Sequence, residues 1–159
     1  MTDRLVDRRL FGRSGLLLAA LGLASGAKAA ETARPAHRVA LQISVNDPAL
    51  MNLALTNVTN IAEHYAGTGE SVAVDLTAFG PGYAMMRADV SPVRERIAAL
   101  QARFPFVTFS ACQNARRAVA ASEGKTASEI PQIAQARDVP AGVVHLSELQ
   151  EAGWSYLRP

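Results

Sequence analysis

The sequence predicts an α/β fold, a mostly parallel sheet covered by helices on both faces. Three observations predict it. Short β-branched and aliphatic runs recur along the chain. Each is followed by a segment with helical apolar spacing, bounded by helix-start or helix-stop residues. The 159 residues, 49% hydrophobic and 19% charged, suit one domain with a core of its own. Strands that alternate with helices lie parallel, joined by right-handed crossovers.

The first residues stand apart from this pattern. Met1 to Arg13 carries Arg4, Arg8, Arg9 and Arg13. The uncharged run Gly15 to Gly26 follows, then the small-x-small triplet Ala27-Lys28-Ala29. A charged start, a short apolar stretch and such a triplet read as an export signal. The run is too short to span a bilayer as a stable helix. The pair Arg8-Arg9, with Phe11 and Arg13 after it, resembles the twin-arginine signal of bacteria, although Asp7 stands where Ser or Thr is usual. Residues 1–29 are thus expected to be a signal, 30–36 a tether containing Pro35, and 37–159 the domain, placed in the periplasm. An amphipathic helix or an uncleaved anchor are the alternatives for the same residues.

This division changes the charge argument. The whole chain has 16 basic and 14 acidic residues and a formal net charge of +2. The signal holds five of the basic residues and two of the acidic ones, so the remainder carries a net charge of −1. The sequence pI of about 9.0 belongs largely to the signal. A near-neutral domain that is 6% aromatic has neither the basic stripe nor the stacking platform of a nucleic-acid binder. A single cysteine excludes an internal disulfide framework and a Cys-rich zinc site.

The elements follow in order. His37 to Ser44 is a first strand. Asp47 as N-cap and Pro48 at the first helical position start a helix to about Ala66. Its apolar stripe is Leu50, Leu53, Ala54, Val58, Ile61 and Ala62, and Gly67 and Gly69 stop it. Ser71 to Ala78 is the second strand, and Phe79 to Asp89 a loop punctuated by Gly80, Pro81 and Gly82. Ser91-Pro92 opens a helix with Val93, Ile97 and Leu100 inward, ending near Phe104-Pro105. Phe106 to Ala111 is a third strand. A helix from Cys112 to about Ser122 is closed by Gly124. Thr126 to Gln135 reads as weaker helix interrupted by Pro131, and Arg137 to Val139 as a short strand. A last helix from Ala141 to Ala152, closed by Gly153, precedes a strand from Trp154 to Leu157. Ligands in such sheets bind at the carboxyl ends of the strands, near a topological switch point.

Cys112 stands where an apolar strand hands over to a helix. A thiol there meets unpaired backbone N–H groups and the positive end of the helix dipole, which favour the thiolate. Arg116 and Arg117, one turn on, add positive potential. A small buried core residue is the competing reading of the same position. Backbone N–H groups at Gln113 and Asn114 suit a terminal sulfur anion. The loop at Gly80 and Gly82 leaves the second strand at the same sheet edge, so Tyr83, Met85 and Met86 either wall the thiol or pack the core. His37, His64 and His145 show no metal spacing. A soft copper(I) site from Cys112, Met85 and Met86 is a further alternative. His145 with Glu148 reads as a surface pair, and Asp75 as a strand-end polar group. Trp154 and Tyr156 read as sheet-edge or subunit-interface residues. No Ser/His/Asp grouping is visible.

The stretch FSACQN, the loop FGPGYAMMRADVSPVRERIAAL and the ending VPAGVVHLSELQEAGWSYLRP resemble the DsrE/DsrF-like sulfur-relay family, most closely its exported single-domain branch. The resemblance covers His37 to Pro159. It implies a three-layer α/β/α fold with a parallel five-stranded sheet, often assembled as a trimer or hexamer. It also implies that Cys112 carries sulfur as a persulfide, in exchange with donor and acceptor proteins or small sulfur compounds. That exchange needs no metal or organic cofactor. A non-catalytic oligomeric binding protein with a buried Cys112, and a sulfurtransferase with turnover, are the competing functions.

Overall fold

The computed structural model describes residues 35–159. The signal read in residues 1–29, and residues 30–34 of the tether, lie outside the described residues. Five strands form one parallel sheet in the order β4-β3-β2-β1-β5. They are β1 (His37–Ile43), β2 (Val72–Ala78), β3 (Val107–Cys112), β4 (Ala136–Val139) and β5 (Ser155–Leu157). Four α-helices connect them: α1 (Pro48–Thr68), α2 (Arg94–Arg103), α3 (Gln113–Ser122) and α4 (Gly142–Glu151). The result is a three-layer α/β/α fold.

Strand periodicity assigns the two faces. Val39, Leu41 and Ile43 of β1 stand in register with Val74, Leu76 and Ala78 of β2. The last three lie beside Val107, Phe109 and Ala111 of β3. This apolar face merges with α1, α2, α3 and the Gly80–Met86 segment into one core. The intervening residues Asp75, Thr77 and Ser110 point to the opposite face, where α4 lies. The chain steps from β1 to β4 in one direction with its helices on the apolar face. It then returns from β4 to β5 through α4 on the other face, which keeps every crossover of one hand. Between β3 and β4, therefore, the connections diverge to opposite faces, which is the switch point of this sheet.

Asp47 caps α1 as its residue type predicts, accepting from Ala49 N at 2.8 Å and Leu50 N at 3.3 Å. The helix continues through Gly67 and ends at Gly69, whose φ of 74° suits glycine. Its buried stripe is Met51, Ala54, Leu55, Val58 and Ala62. Leu53, expected inward, is 48% exposed. Apolar residues lie on several sides of this helix, so periodicity alone does not set its rotation. Burial of that stripe in the core sets it, and Arg96 of α2 adds exposed hydrogen bonds to the carbonyl and side chain of Asn52, both at 2.9 Å, and to Thr56 at 2.8 Å.

Two segments differ from expectation. Gly80–Met86 is a 3-10 segment rather than an open loop. Gly82 brings its backbone against the end of β1, close enough that a Cβ would stand 2.3 Å from the Ile43 carbonyl oxygen. Thr126 to Gln135 is a single 3-10 turn, Ala127–Glu129, with a Thr126/Glu129 capping box, followed by irregular chain with an antiparallel bridge from Gln132 to Arg87 and a turn at residues 134–135. Pro131 offers no N–H to a helix. The segment spends its backbone groups on the Gly80–Met86 region instead: Ala88 N donates to Pro131 O and Ile133 N to Met86 O, each at 3.0 Å.

Arg87, just past the 3-10 segment, clamps this region to the end of α3. It meets both Asp89 oxygens, at 2.9 and 2.6 Å, and Glu123 at 2.5 Å. Its hydrogen bonds to Asp89 and Glu123 raise the guanidinium pKa, and Arg87 holds both carboxyls below their ordinary values. Depressed carboxyl pKa values give stability that is complete above the unfolded-state range, near pH 4 to 4.5, and lost as pH falls through the folded values. Urea midpoints across pH 2 to 6 are expected to fall less steeply on the acid side in Arg87→Met than in wild type. Parallel acid limbs would remove the clamp from the account.

Candidate functional site

Cys112 is the last residue of β3 and the N-cap of α3. It pairs with Val139 at the end of β4, so it stands at the switch point. Its Sγ accepts the Ala115 N–H at 3.4 Å. That N–H is one of the four that a helix start leaves without a backbone partner. The bond strengthens as negative charge builds on sulfur.

A second helix also begins here. Gly142, the first residue of α4, packs on Cys112 and Phe79. A Cβ on it would lie 3.2 Å from Cys112 Cβ and 2.7 Å from Phe79 Cβ. Only glycine allows this approach without a shift. The α4 N-cap is Ala141, which has no side-chain acceptor, so the N–H groups of that first turn stay uncapped. Cys112 thus lies between two helix starts: its Sγ accepts from the first turn of α3, the backbone at the start of α4 packs on its Cβ, and the residue is 5% exposed.

Beside them runs a chain of polar side chains. The Tyr83 hydroxyl donates to Gln132 Oε1 at 2.8 Å, and Gln132 Nε2 donates to Asp138 Oδ1 at 2.6 Å. Gln113 Nε2 reaches the same Gln132 oxygen at 3.5 Å and the Ala111 carbonyl at 3.4 Å. Burial pushes the Tyr83 hydroxyl up to about 12, so it serves as a neutral donor. Arg116 donates to Ile130 O at 2.7 Å, while its buried Nε has no hydrogen-bond partner among the described residues.

The predicted residues therefore divide. Cys112, Gln113 and Tyr83 belong to this neighbourhood, with Arg116 one turn along α3. Asn114 is exposed and pairs with Arg117. Gly82, Met85 and Met86 are buried in the core and serve packing. Gly80 instead lines, with Pro81, Ala115, Ala118, Val119 and Ser122, a shallow groove of 320 Å³ along α3. Sequence reasoning missed Gln132 and Asp138. Asp138 lies near the carboxyl end of β4, where the strand-end rule points, but Gln132 sits in the stretch misread as helix.

The opposite face of the sheet holds a grouping that the sequence did not reveal. Asp75 is mid-strand and buried, not at a strand end. Its Oδ1 accepts from Thr77 Oγ1 and its Oδ2 from Ser110 Oγ, both at 2.7 Å. His145 Nε2 lies 3.2 Å from Asp75 Oδ2 and 3.3 Å from Ser110 Oγ. His145 is thus tied to the sheet rather than paired with Glu148 on the surface. Alternation of polar residues along β2 and β3 was the available signal. The grouping is not built for nucleophilic attack. A triad uses the two imidazole nitrogens for two partners, whereas here Nε2 meets both. The Ser110 hydroxyl donates to the carboxylate and has no solvent exposure.

Among the described residues, no three or more His, Cys, Asp or Glu side chains gather as a metal site, and no helix is long and apolar enough to cross a membrane. No family model matches the chain, and no curated protein matches it. It is similar to a solved protein of unknown function from Methanobacterium thermoautotrophicum. The two are 27% identical, with 77% of this chain and 99% of that one covered, at a TM-score of 0.63. This likeness accords with the α/β/α architecture and carries no assigned activity.

Proposed function

We propose that the protein is an exported sulfur carrier of the DsrE/DsrF-like kind, which accepts sulfane sulfur as a persulfide on Cys112 and hands it to a partner thiol. The observation that carries this reading is the position of Cys112. It stands at the switch point of the sheet, with the Ala115 N–H on its sulfur and the start of α4 against it. A helix-start N–H on the sulfur suits the terminal anion of a persulfide held there.

The exchange balances without a cofactor. The Cys112 thiolate attacks the outer sulfur of a donor persulfide, R–S–SH. The donor S–S bond breaks, an S–S bond to Cys112 forms, and R–S⁻ leaves with the electron pair. In the second step an acceptor thiolate attacks the outer sulfur of the Cys112 persulfide, and Cys112 is released as thiolate. No net oxidation occurs in either step. The rates follow thiolate fraction, leaving group and access. Small polysulfides replace the donor protein in vitro. The carrier works as a homo-oligomer, a trimer or hexamer; the edge strand β5 offers exposed Tyr156 and Leu157 for self-association.

The low exposure of Cys112 favours one second reading, an oligomeric binding protein in which this thiol is an inert core residue. Intact-mass spectrometry after polysulfide treatment separates the two. Wild type is expected to gain one sulfur atom that reductant removes, and Cys112→Ser to gain none. Absence of any gain in wild type, with a thiol that reacts with alkylating reagent only after unfolding, rejects the carrier.

A further inference from the structure

Sulfur exchange requires a reagent to reach Cys112, and α4 stands against it. Three observations mark the N-terminal end of this helix as weakly held. First, α4 buries one large apolar side chain, Leu146, and neither it nor any residue of β5 joins the contiguous apolar cluster that packs the other face of the sheet against α1, α2 and α3. Second, the first turn of α4 turns Val143 and Val144 to solvent, 64% and 51% exposed, and buries only Gly142. Third, among the described residues the only side-chain hydrogen bonds from α4 to the sheet are those of His145 to Asp75 and Ser110.

The other end is held differently. Arg38 of β1 donates to the carbonyls of Ala152 at 2.7 Å and Gly153 at 3.2 Å. The chain then pairs with β1 as β5. The helix is fixed beyond its C-terminus and latched by side-chain hydrogen bonds only at His145, while its first turn meets Cys112 through the close backbone approach of Gly142 and buries no large apolar side chain there.

We infer that α4 is the gate of Cys112, hinged at its Arg38-bound end and held shut by the His145–Asp75 latch. Segments with few buried apolar contacts open locally, well below the free energy of global unfolding. Opening here strands no charge. Asp75 keeps the Thr77 and Ser110 donors when His145 leaves, and the imidazole, already 18% exposed, returns to water. The gate rests on the carrier reading for its purpose, since it supplies the access that sulfur exchange needs; the motion itself is independent of sulfur.

The test is the rate at which iodoacetamide alkylates Cys112 in the purified protein, beside hydrogen exchange of backbone amides. His145→Leu removes the latch and keeps apolar bulk. Gly142→Ala wedges a Cβ against Phe79 and Cys112. Each variant is expected to raise the alkylation rate about tenfold, equivalent to about 1.4 kcal/mol in the opening equilibrium. Amides of α4 should exchange faster by a similar factor while those of α1 stay unchanged. Alkylation within twofold of wild type in a folded His145→Leu overturns the gate. Exchange that accelerates equally in α1 also overturns it, because that is global unfolding. Sulfur uptake is read separately. Faster alkylation in a protein whose wild type takes up no sulfur supports the gate and rejects the carrier. Unchanged alkylation with normal sulfur uptake rejects the gate and retains the carrier.

Discussion

Gly82→Ala is expected to cost about 3 kcal/mol of stability or more, at the upper end of what overpacking does. The added Cβ would meet three atoms of one residue: the Ile43 carbonyl oxygen at 2.3 Å, its carbon at 2.6 Å and Cγ2 at 2.8 Å. Two of these are backbone atoms, at the end of a strand paired on both sides. They have no rotamer to change. Either the 3-10 segment lifts off the sheet or β1 yields, and both open the core around Met85 and Met86. The neighbouring Gly80 provides the contrast. A Cβ there meets only the Ser44 carbonyl oxygen, at 3.5 Å, but the backbone has φ of 52°. Its replacement by alanine should cost about 1 kcal/mol, the ordinary left-handed penalty. Denaturant midpoints of the two variants decide the matter. Equal losses at the two positions would mean that backbone conformation, not close approach, accounts for the glycines of this loop.

Asp75→Ala should cost a comparable or larger amount, about 4 kcal/mol. The carboxylate is the acceptor for two hydroxyls with no solvent exposure and for one imidazole. Its removal leaves Thr77 and Ser110 without that partner inside the protein, and each orphaned buried polar group costs about 1 to 3 kcal/mol. Asp75→Asn keeps the shape and one acceptor oxygen, so its cost should be about half as large. Thermal and urea unfolding measure both. If the alanine variant lost less than the asparagine variant, the cluster would be better described as a desolvation burden than as a tie between α4 and the sheet.

Strand and helix periodicity made most of the fold legible. The apolar positions of β1, β2 and β3, the Asp47-Pro48 helix start, and the closing glycines Gly69, Gly124 and Gly153 all act where short-range physics places them. Those features depend on residues a few positions apart. The rotation of α1 was not legible, because Leu53 and Leu55 are equally apolar and only packing in the folded core selects between them. Nor was the fate of 126–135, where local capping favours a helical turn and long-range pairing with residues 86–88 wins.

The candidate site divides in the same way. Cys112 at a strand-to-helix junction follows from local sequence, as does its place at a strand carboxyl end. Its surroundings do not. Gly142, Gln132 and Asp138 come from segments 20 or more residues away in the chain, and the Asp75–Ser110–His145 grouping spans 70 residues from first to last. By itself the sequence determined an α/β chain of alternating strands and helices, the position of its one cysteine, and the caps that start and end its helices. Tertiary structure alone decided which helix covers the polar face of the sheet and how closely that helix approaches the thiol. The reason is physical: propensity, capping and periodicity act over one or two turns, whereas burial and hydrogen-bond satisfaction are settled only when distant strands come into register.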